Sequence, residues 1–240
     1  MRTVLVTGGS RGIGLGIAKC FAAKGDMIIL NGREDSANLQ KSVEELKQAG
    51  GNADGFIADL SDYEKAREMF SHIKARYGPV EVLVNNAGSA HYGLFSDMSF
   101  ADIQGVMANN LYTAVNASHL AVPDMVRAKA GCIINITSVW GICGASCEVM
   151  YSAAKAAVIG FTKALARELG PSGVRVNAIA CGAFETRMNT QLTREEKNAF
   201  VENIPLGRFG YPGEAGALAV FLAGAEYLTG QVIPLDGGLV

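Results

Sequence analysis

Short apolar segments recur along the whole chain and alternate with segments that have helical periodicity. Most of these segments are apolar at consecutive positions, which is typical of strands covered by helices on both faces. The predicted strands are Val4–Val6, Ile28–Leu30, Phe56–Ala58, Val82–Val84, Ile133–Ile136, Val174–Ile179 and Val232–Leu235. Because strand and helix alternate throughout, the sequence predicts one α/β domain over residues 1–240, with a doubly wound, seven-stranded parallel sheet and helices on both faces.

The helical segments show their own spacing and stop signals. Ile13, Ile17 and Phe21 recur every four residues and would share one face of a helix. Gly50 and Gly51 end a second segment of this kind, as glycine commonly does after a helix.

The alternation stops between about residues 184 and 212, where two short polar helices are predicted. Thr193 and Glu196 have the spacing of a capping box that would open the second helix. An insertion at this point in an α/β sheet lies over the carboxyl ends of the strands. The segment 184–212 is therefore predicted to be a substrate lid.

Composition narrows the class of protein. An apolar fraction of 49% and 29 glycines predict a buried core with tight turns. The 21 basic residues nearly balance the 23 acidic ones, and a formal charge of -2 argues against nucleic acid and anionic membranes as partners.

The five cysteines are odd in number and lack CxxC spacing, which argues against a disulfide framework and a zinc site. The histidines lack HExxH spacing, so no metal site is predicted. No apolar segment approaches the roughly 20 residues that span a membrane, and the chain begins without a signal-like segment. A soluble cytoplasmic protein is expected.

A glycine-rich turn follows the first predicted strand directly and leads into a helix. Its glycines are Gly8, Gly12 and Gly14, which would allow a tight turn and a close approach of the backbone to a pyrophosphate. The helix N-terminus would add amide donors and the positive end of a dipole. The turn is thus predicted to bind a dinucleotide through Gly8, Ser10, Arg11, Gly12, Ile13 and Gly14.

The end of the second strand favours NADP(H) over NAD(H). An acidic residue at this place would bind the ribose 2′-hydroxyl of NAD, but the strand ends with Asn31-Gly32-Arg33. Arg33, beside Arg11, could instead pair with a 2′-phosphate. In the alternative interpretation, Arg33 is a solvated turn residue and Glu34 or Asp35 contacts the ribose.

Tyr151 and Lys155 form the strongest candidate for catalytic chemistry. A helix over residues 151–169 would place them on one face, with Ser138 a short distance upstream. A lysine ammonium near a phenol favours the phenolate and is expected to lower the tyrosine pKa, so that the pair could exchange a proton near pH 7. In isolation the pair would more often be an ordinary tyrosine and lysine on a helix surface.

Further motifs follow in a characteristic order. They are Asp59-Leu60, Asn85-Asn86-Ala87-Gly88, Asn110-Leu111 in the fourth helix, Thr186 after the sixth strand, and Tyr227-Leu228-Thr229-Gly230 before Asp236-Gly237-Gly238. With the glycine turn, Ser138 and the Tyr151/Lys155 pair, the chain resembles the short-chain dehydrogenase/reductase family over nearly its whole length. The resemblance implies a Rossmann-type domain and a nicotinamide cofactor.

The resemblance also implies a role for each motif. Tyr151 would be the acid/base, Lys155 would lower its pKa and bind the nicotinamide ribose, Ser138 would hold the substrate carbonyl, and Asn110 would anchor a water relay. Asp59 and Leu60 would flank the adenine, Asn86, Ala87 and Gly88 would line the adenosine side, and Phe184 with Thr186 would hold the carboxamide. One departure is Cys181 before Gly182, where the family usually has proline.

Within this family the chain is most similar to bacterial 3-oxoacyl-acyl-carrier-protein reductases, which implies NADPH, a carrier-bound or small ketone and a homotetramer. The segment 138–149 is more similar to that of elongation factor P 5-aminopentanone reductases, which reduce a ketone on a modified side chain of a protein. Glu148 in this segment could pair with an amine-bearing substrate, or it could be a solvated carboxylate. A more distant alternative is a dinucleotide sensor without catalytic activity.

Overall fold

A computed structural model describes residues 1–186 and 193–240, and its centre is one parallel sheet. The strands are β1 (Thr3–Val6), β2 (Met27–Gly32), β3 (Asn52–Ile57), β4 (Val82–Asn85), β5 (Gly131–Ser138), β6 (Val174–Cys181) and β7 (Val232–Leu235). Their order in the sheet is β3-β2-β1-β4-β5-β6-β7, and every neighbouring pair is parallel. This confirms the predicted seven-stranded Rossmann-type fold.

Helices connect the strands on both sides of the sheet. They are α1 (Gly12–Ala22), α2 (Ser36–Gln48), α3 (Tyr63–Tyr77), α4 (Phe100–Met107), α5 (Thr113–Ala128), α6 (Trp140–Cys143), α7 (Val149–Leu169), α8 (Arg194–Val201) and α9 (Pro212–Gly224). A π-helical segment, Ala108–Tyr112, joins α4 to α5. No helix within the described parts of the chain is both long enough and apolar enough to cross a membrane.

The consecutive apolar residues of the strands serve two separate cores. On β1, Val4 and Val6 pack with α1, α2 and α9, whereas Leu5 packs with α3, α5 and α7 on the opposite face. Successive strand residues point to opposite faces, so a strand covered on both sides is apolar at every position. The order of strands reverses at β1, and ligands in such sheets bind beyond the carboxyl ends at this point.

The predicted ends of strands and helices are confirmed in two places and wrong in one. The third strand was predicted at residues 56–58, but β3 begins at Asn52, because an edge strand paired only with β2 tolerates polar residues. The stop after α2 is confirmed, with Gly50 at a φ of +85°. The Thr193–Glu196 capping box at the start of α8 is also confirmed. Part of the other predicted polar helix falls on residues 187–192, which lie outside the described residues.

Close packing of α1 against α9 gives a first testable prediction. A Cβ atom on Gly16 would lie 2.5 Å from the Pro212 Cβ and 2.6 Å from its carbonyl oxygen. We expect Gly16→Ala to reduce the free energy of unfolding by about 1–3 kcal/mol, because the helices must separate to admit the methyl group. Thermal or urea denaturation measures the loss. The control is Gly213→Ala at the start of α9, where the added Cβ meets no atom within 4 Å and stability should be retained.

Candidate active site

The predicted catalytic side chains meet at the carboxyl ends of β4 and β5. Ser138 is the last residue of β5, and Tyr151 and Lys155 occupy the first two turns of α7. The Lys155 Nζ atom lies 5.6 Å from the centre of the Tyr151 ring. Ser138 Oγ accepts a hydrogen bond from the Trp140 amide at 3.2 Å, and its hydroxyl is also hydrogen-bonded with the Tyr151 side chain.

Lys155 is buried and fastens α7 to the end of β5. Its Nζ donates to the Ile136 carbonyl at 3.1 Å, and its own carbonyl accepts from Thr137 Oγ1 at 2.8 Å. Only 5% of the residue is exposed, and this burial lowers the lysine pKa to about 8. The ammonium therefore stays the main form at neutral pH but is lost on mild alkalinisation.

The environment of Tyr151 differs from the expectation. Its pKa is raised above the ordinary value, mainly by burial and also by the negative charge of Glu148, whereas the sequence suggested a lowered pKa. The hydrogen bond with Ser138 opposes this rise but is the smaller effect. Burial penalises a phenolate, and the Lys155 ammonium does not outweigh it. Tyr151 is therefore a protonated phenol at neutral pH, the form that can donate a proton.

Asn110 was predicted to lie in a regular fourth helix, but it lies inside the π-helical segment. Its side chain is buried and bonded to both backbone groups of Ser89: Oδ1 accepts from the amide at 3.2 Å, and Nδ2 donates to the carbonyl at 2.9 Å. A Cβ atom on Gly88 would lie 2.6 Å from Asn110 Oδ1 and 3.3 Å from Lys155 Nζ. Gly88 thus lets the loop after β4 approach both side chains.

The glycine turn and the loop after β4 are bound to each other. Gly8 and Gly12 have φ angles of +59° and +54°, which favour glycine. Asn86 Nδ2 donates to the carbonyls of Thr7 and Gly8 at 2.9 and 3.0 Å, and a Cβ on Gly14 would lie only 2.5 Å from that nitrogen. The glycines therefore let the loop after β4 pack directly against the turn, and the close approach of a pyrophosphate stays a prediction from the sequence.

The adenosine end of the predicted site is formed by the loops after β2 and β3. Leu60 is buried, and Asp59 accepts hydrogen bonds from the Ser61 amide and hydroxyl at 2.9 and 2.7 Å. Burial raises the pKa of Asp59, but these hydrogen bonds and the nearby Arg33 charge together lower it by more. The net pKa is therefore below its ordinary value. Arg33 Nη1 donates to Asn109 Oδ1 at 3.0 Å.

The two carboxylates of the alternative interpretation, Glu34 and Asp35, each have a partner in the structure. Asp35 caps α2 by accepting from the Asn38 amide at 3.0 Å. Glu34 pairs with Arg33 Nε at 3.2 Å. Of the two, only Glu34 pairs with the Arg33 guanidinium.

Two further predicted residues, Phe184 and Thr186, lie on the loop after β6. Phe184 is buried and its backbone bridges to Gly210. The Thr186 side chain faces the glycine turn, since a Cβ on Gly12 would lie 3.4 Å from Thr186 Cγ2. Cys181 is buried beside Ser138 in the β5–β6 register, and its carbonyl accepts from the Val139 amide at 3.0 Å.

The segment before α7 holds the features that sequence reasoning described least well. Cys147 has a left-handed φ of +61°, and its carbonyl accepts from the Gly93 amide at 2.9 Å, so this segment is tied to the loop after β4. Glu148 is partly buried, which raises its pKa, and its carboxylate makes no hydrogen bond or ion pair with any residue in 1–186 or 193–240. No glycine marks the left-handed position at Cys147, so the sequence contained no signal for this turn.

Comparison with known proteins identifies the class that this fold and site define. Residues 2–197 match the family model described as short chain dehydrogenase. The chain therefore belongs to the short-chain dehydrogenase/reductase family, and it is an oxidoreductase that acts on CH–OH groups with a nicotinamide dinucleotide cofactor. Among residues 1–186 and 193–240, no group of three or more His, Cys, Asp or Glu side chains could hold a metal ion.

Individual relatives cover almost the entire chain. An uncharacterized oxidoreductase of Bacillus subtilis, YmfI, is 39% identical over 240 residues, covering 99% of this chain and 98% of that protein. A 3-oxoacyl-acyl-carrier-protein reductase of Chlamydia trachomatis is 38% identical, with 99% and 97% covered. A crystal structure of 3-oxoacyl-acyl-carrier-protein reductase from Brucella melitensis superimposes with a TM-score of 0.93 at 33% identity, with 99% and 91% covered.

Proposed function

We propose that this protein is an NADPH-dependent ketoreductase that converts a ketone to a secondary alcohol, with a 3-oxoacyl thioester on an acyl carrier protein as the first candidate substrate. The observation that carries the proposal is the meeting of Ser138, Tyr151 and Lys155 near the loop after β4, which itself packs against the glycine turn. The names of the relatives from Chlamydia trachomatis and Brucella melitensis support the candidate substrate.

In this proposal each side chain has one task. When bound, a nicotinamide cofactor would supply the hydride, and negative charge would then develop on the substrate oxygen. The Ser138 hydroxyl donates a hydrogen bond to that oxygen, and the Tyr151 phenol transfers its proton to it. The buried Lys155 ammonium stabilises the phenolate that remains, and Asn110 fixes Ser89 and the loop after β4.

Arg33 is the proposed determinant of cofactor preference. We expect Arg33→Ala to raise the KM for NADPH about 10–100-fold and to change the KM for NADH little, because hydrogen bonds to charged groups contribute about 1.5–3 kcal/mol each. Steady-state kinetics with both cofactors measures the difference. Lys24→Ala, an exposed lysine just beyond α1, is the charge-matched control. Equal losses for both cofactors would remove Arg33 from the explanation.

A second candidate substrate is a ketone that carries an ammonium group, such as a 5-aminopentanone group on elongation factor P. The observation that favours it is the partly buried, unpaired Glu148 carboxylate. Its negative charge is near enough to Tyr151 to raise the pKa of the phenol. A cationic substrate would neutralise this carboxylate, whereas an anionic carrier protein would not.

The deciding experiment compares NADPH oxidation with an acetoacetyl thioester of acyl carrier protein and with the modified elongation factor P. Glu148→Gln, which keeps the shape and removes the charge, is assayed beside the wild type. Because the Glu148 charge also raises the pKa of Tyr151, the substitution affects both substrates; a cationic substrate predicts a loss in kcat/KM severalfold greater than that for the thioester, and equal effects would remove the cationic substrate. If neither substrate nor any simple ketone is reduced, the ketoreductase proposal fails.

Three further expectations are part of the proposal. The lid at 184–212 is supported by α8, where Phe200 packs edge-on against Trp140 with ring centres 6.4 Å apart. A homotetramer is supported by the family resemblance and by exposed aromatic side chains at Phe100 and Tyr112, and light scattering tests it. A cytoplasmic location is supported by the five cysteines, all of which are described and free.

A further inference from the structure

The π-helical segment presents two adjacent asparagines to two different parts of the site. Asn110 points inward to Ser89 and the Lys155 side, as described above. Asn109 points outward, and its Oδ1 accepts from Arg33 Nη1 at 3.0 Å. A π-helical turn contains more residues than a turn of α-helix, which changes the directions of neighbouring side chains. Such turns often occur at functional sites. One short segment thus contacts both ends of the proposed cofactor site.

The orientation of the Asn109 amide follows from its partners. Arginine can only donate hydrogen bonds, so the oxygen must face Arg33, and the nitrogen then faces Ser89 Oγ at 3.5 Å. The backbone carbonyl of Asn109 accepts a hydrogen bond from the Thr113 hydroxyl at 3.1 Å, and Thr113 is buried at the start of α5. The backbone at Asn109 is therefore fixed by a hydrogen bond from the first residue of α5.

Arg33 needs such support because its side chain is about half exposed, at 51%. A free arginine side chain has about 2 kcal/mol of rotamer entropy, which it loses when it binds a ligand. Asn109 on Nη1 and Glu34 on Nε already hold the guanidinium at the end of β2. Part of the side-chain entropy of Arg33 is therefore already lost before a ligand binds, which reduces the entropy lost on binding.

We propose that Asn109 is a positioning residue for cofactor discrimination, which holds the Arg33 guanidinium in place for a ribose 2′-phosphate. This inference rests on the proposed use of NADPH. It assigns the cofactor preference to a pair, Arg33 and Asn109, in place of one arginine. It also places one member of that pair directly beside Asn110 in the chain.

The test measures cofactor binding by fluorescence titration, which requires no substrate. We expect Asn109→Ala to weaken NADPH binding about 3–10-fold, the size of one ordinary hydrogen bond, with little change for NADH. In the Arg33→Ala background, Asn109→Ala should have no additional effect, because a positioning residue acts only through its partner. Gln104→Ala, an exposed residue on α4, is the matched control and should bind both cofactors normally.

The outcomes separate this inference from the proposed function. If the wild type binds NADPH no better than NADH, the proposed cofactor is wrong and the inference falls with it. If the wild type prefers NADPH but Asn109→Ala weakens both cofactors equally, or adds its full effect to Arg33→Ala, only the positioning role is overturned. Thermal unfolding of each variant distinguishes these results from a general loss of structure.

Discussion

Tyr151→Phe is expected to lower the rate of ketone-dependent NADPH oxidation about 100- to 10,000-fold, the usual contribution of a positioned general acid. The substitution removes one oxygen and keeps the ring near Lys155. Without the hydroxyl, charge that develops on the substrate oxygen has only the Ser138 donor, and no proton is delivered.

The same variant should bind NADPH as tightly as the wild type, since the phenylalanine ring preserves the packing of α7. Fluorescence titration of the cofactor and single-turnover measurement of its oxidation separate these two properties. Tyr227→Phe is the control, because this tyrosine is fully exposed and is not among the residues that form the candidate site. Retention of full activity by Tyr151→Phe would exclude the proposed mechanism.

The features that depend on local spacing were predictable from the sequence. Glycines after a strand, an i,i+4 tyrosine and lysine on a helix, and a threonine–glutamate capping box all act over a few residues, so their geometry follows from the backbone period. The parallel sheet was predictable because strands covered on both faces are apolar at each position, as Val4 and Leu5 show.

Features that depend on contacts between distant segments were not predictable in this way. The lowered pKa expected for Tyr151 was wrong for the structure because the dominant effect is burial, which periodicity does not report. The bond between Arg33 and Asn109, 76 residues apart, likewise forms only when the end of β2 and the π-helical segment are brought together by the fold. The start of β3 was missed because its edge position permits polar residues.

Lys155→Met is the prediction with the second largest effect, and it separates catalysis from stability. We expect activity to fall at least about 100-fold, because the ammonium that would stabilise the Tyr151 phenolate is lost. The folded protein should become more stable below pH 8, because an apolar chain of similar length replaces a buried charge. A variant that is both inactive and markedly less stable would instead indicate a structural role for Lys155.

The pH dependence of the two proteins provides the sharper measurement. The folded-state pKa of Lys155 is lowered to about 8 from 10.5, so the unfolded chain binds more protons between these values and the lysine destabilises the fold most below pH 8. The shift corresponds to about 3 kcal/mol at most, which is reduced by loss of the bond to the Ile136 carbonyl. The stability advantage of Lys155→Met should therefore be largest below pH 8 and decrease toward pH 10.5. Over the same range, wild-type kcat/KM for ketone reduction should fall as pH rises through about 8, and the residual activity of the variant should not.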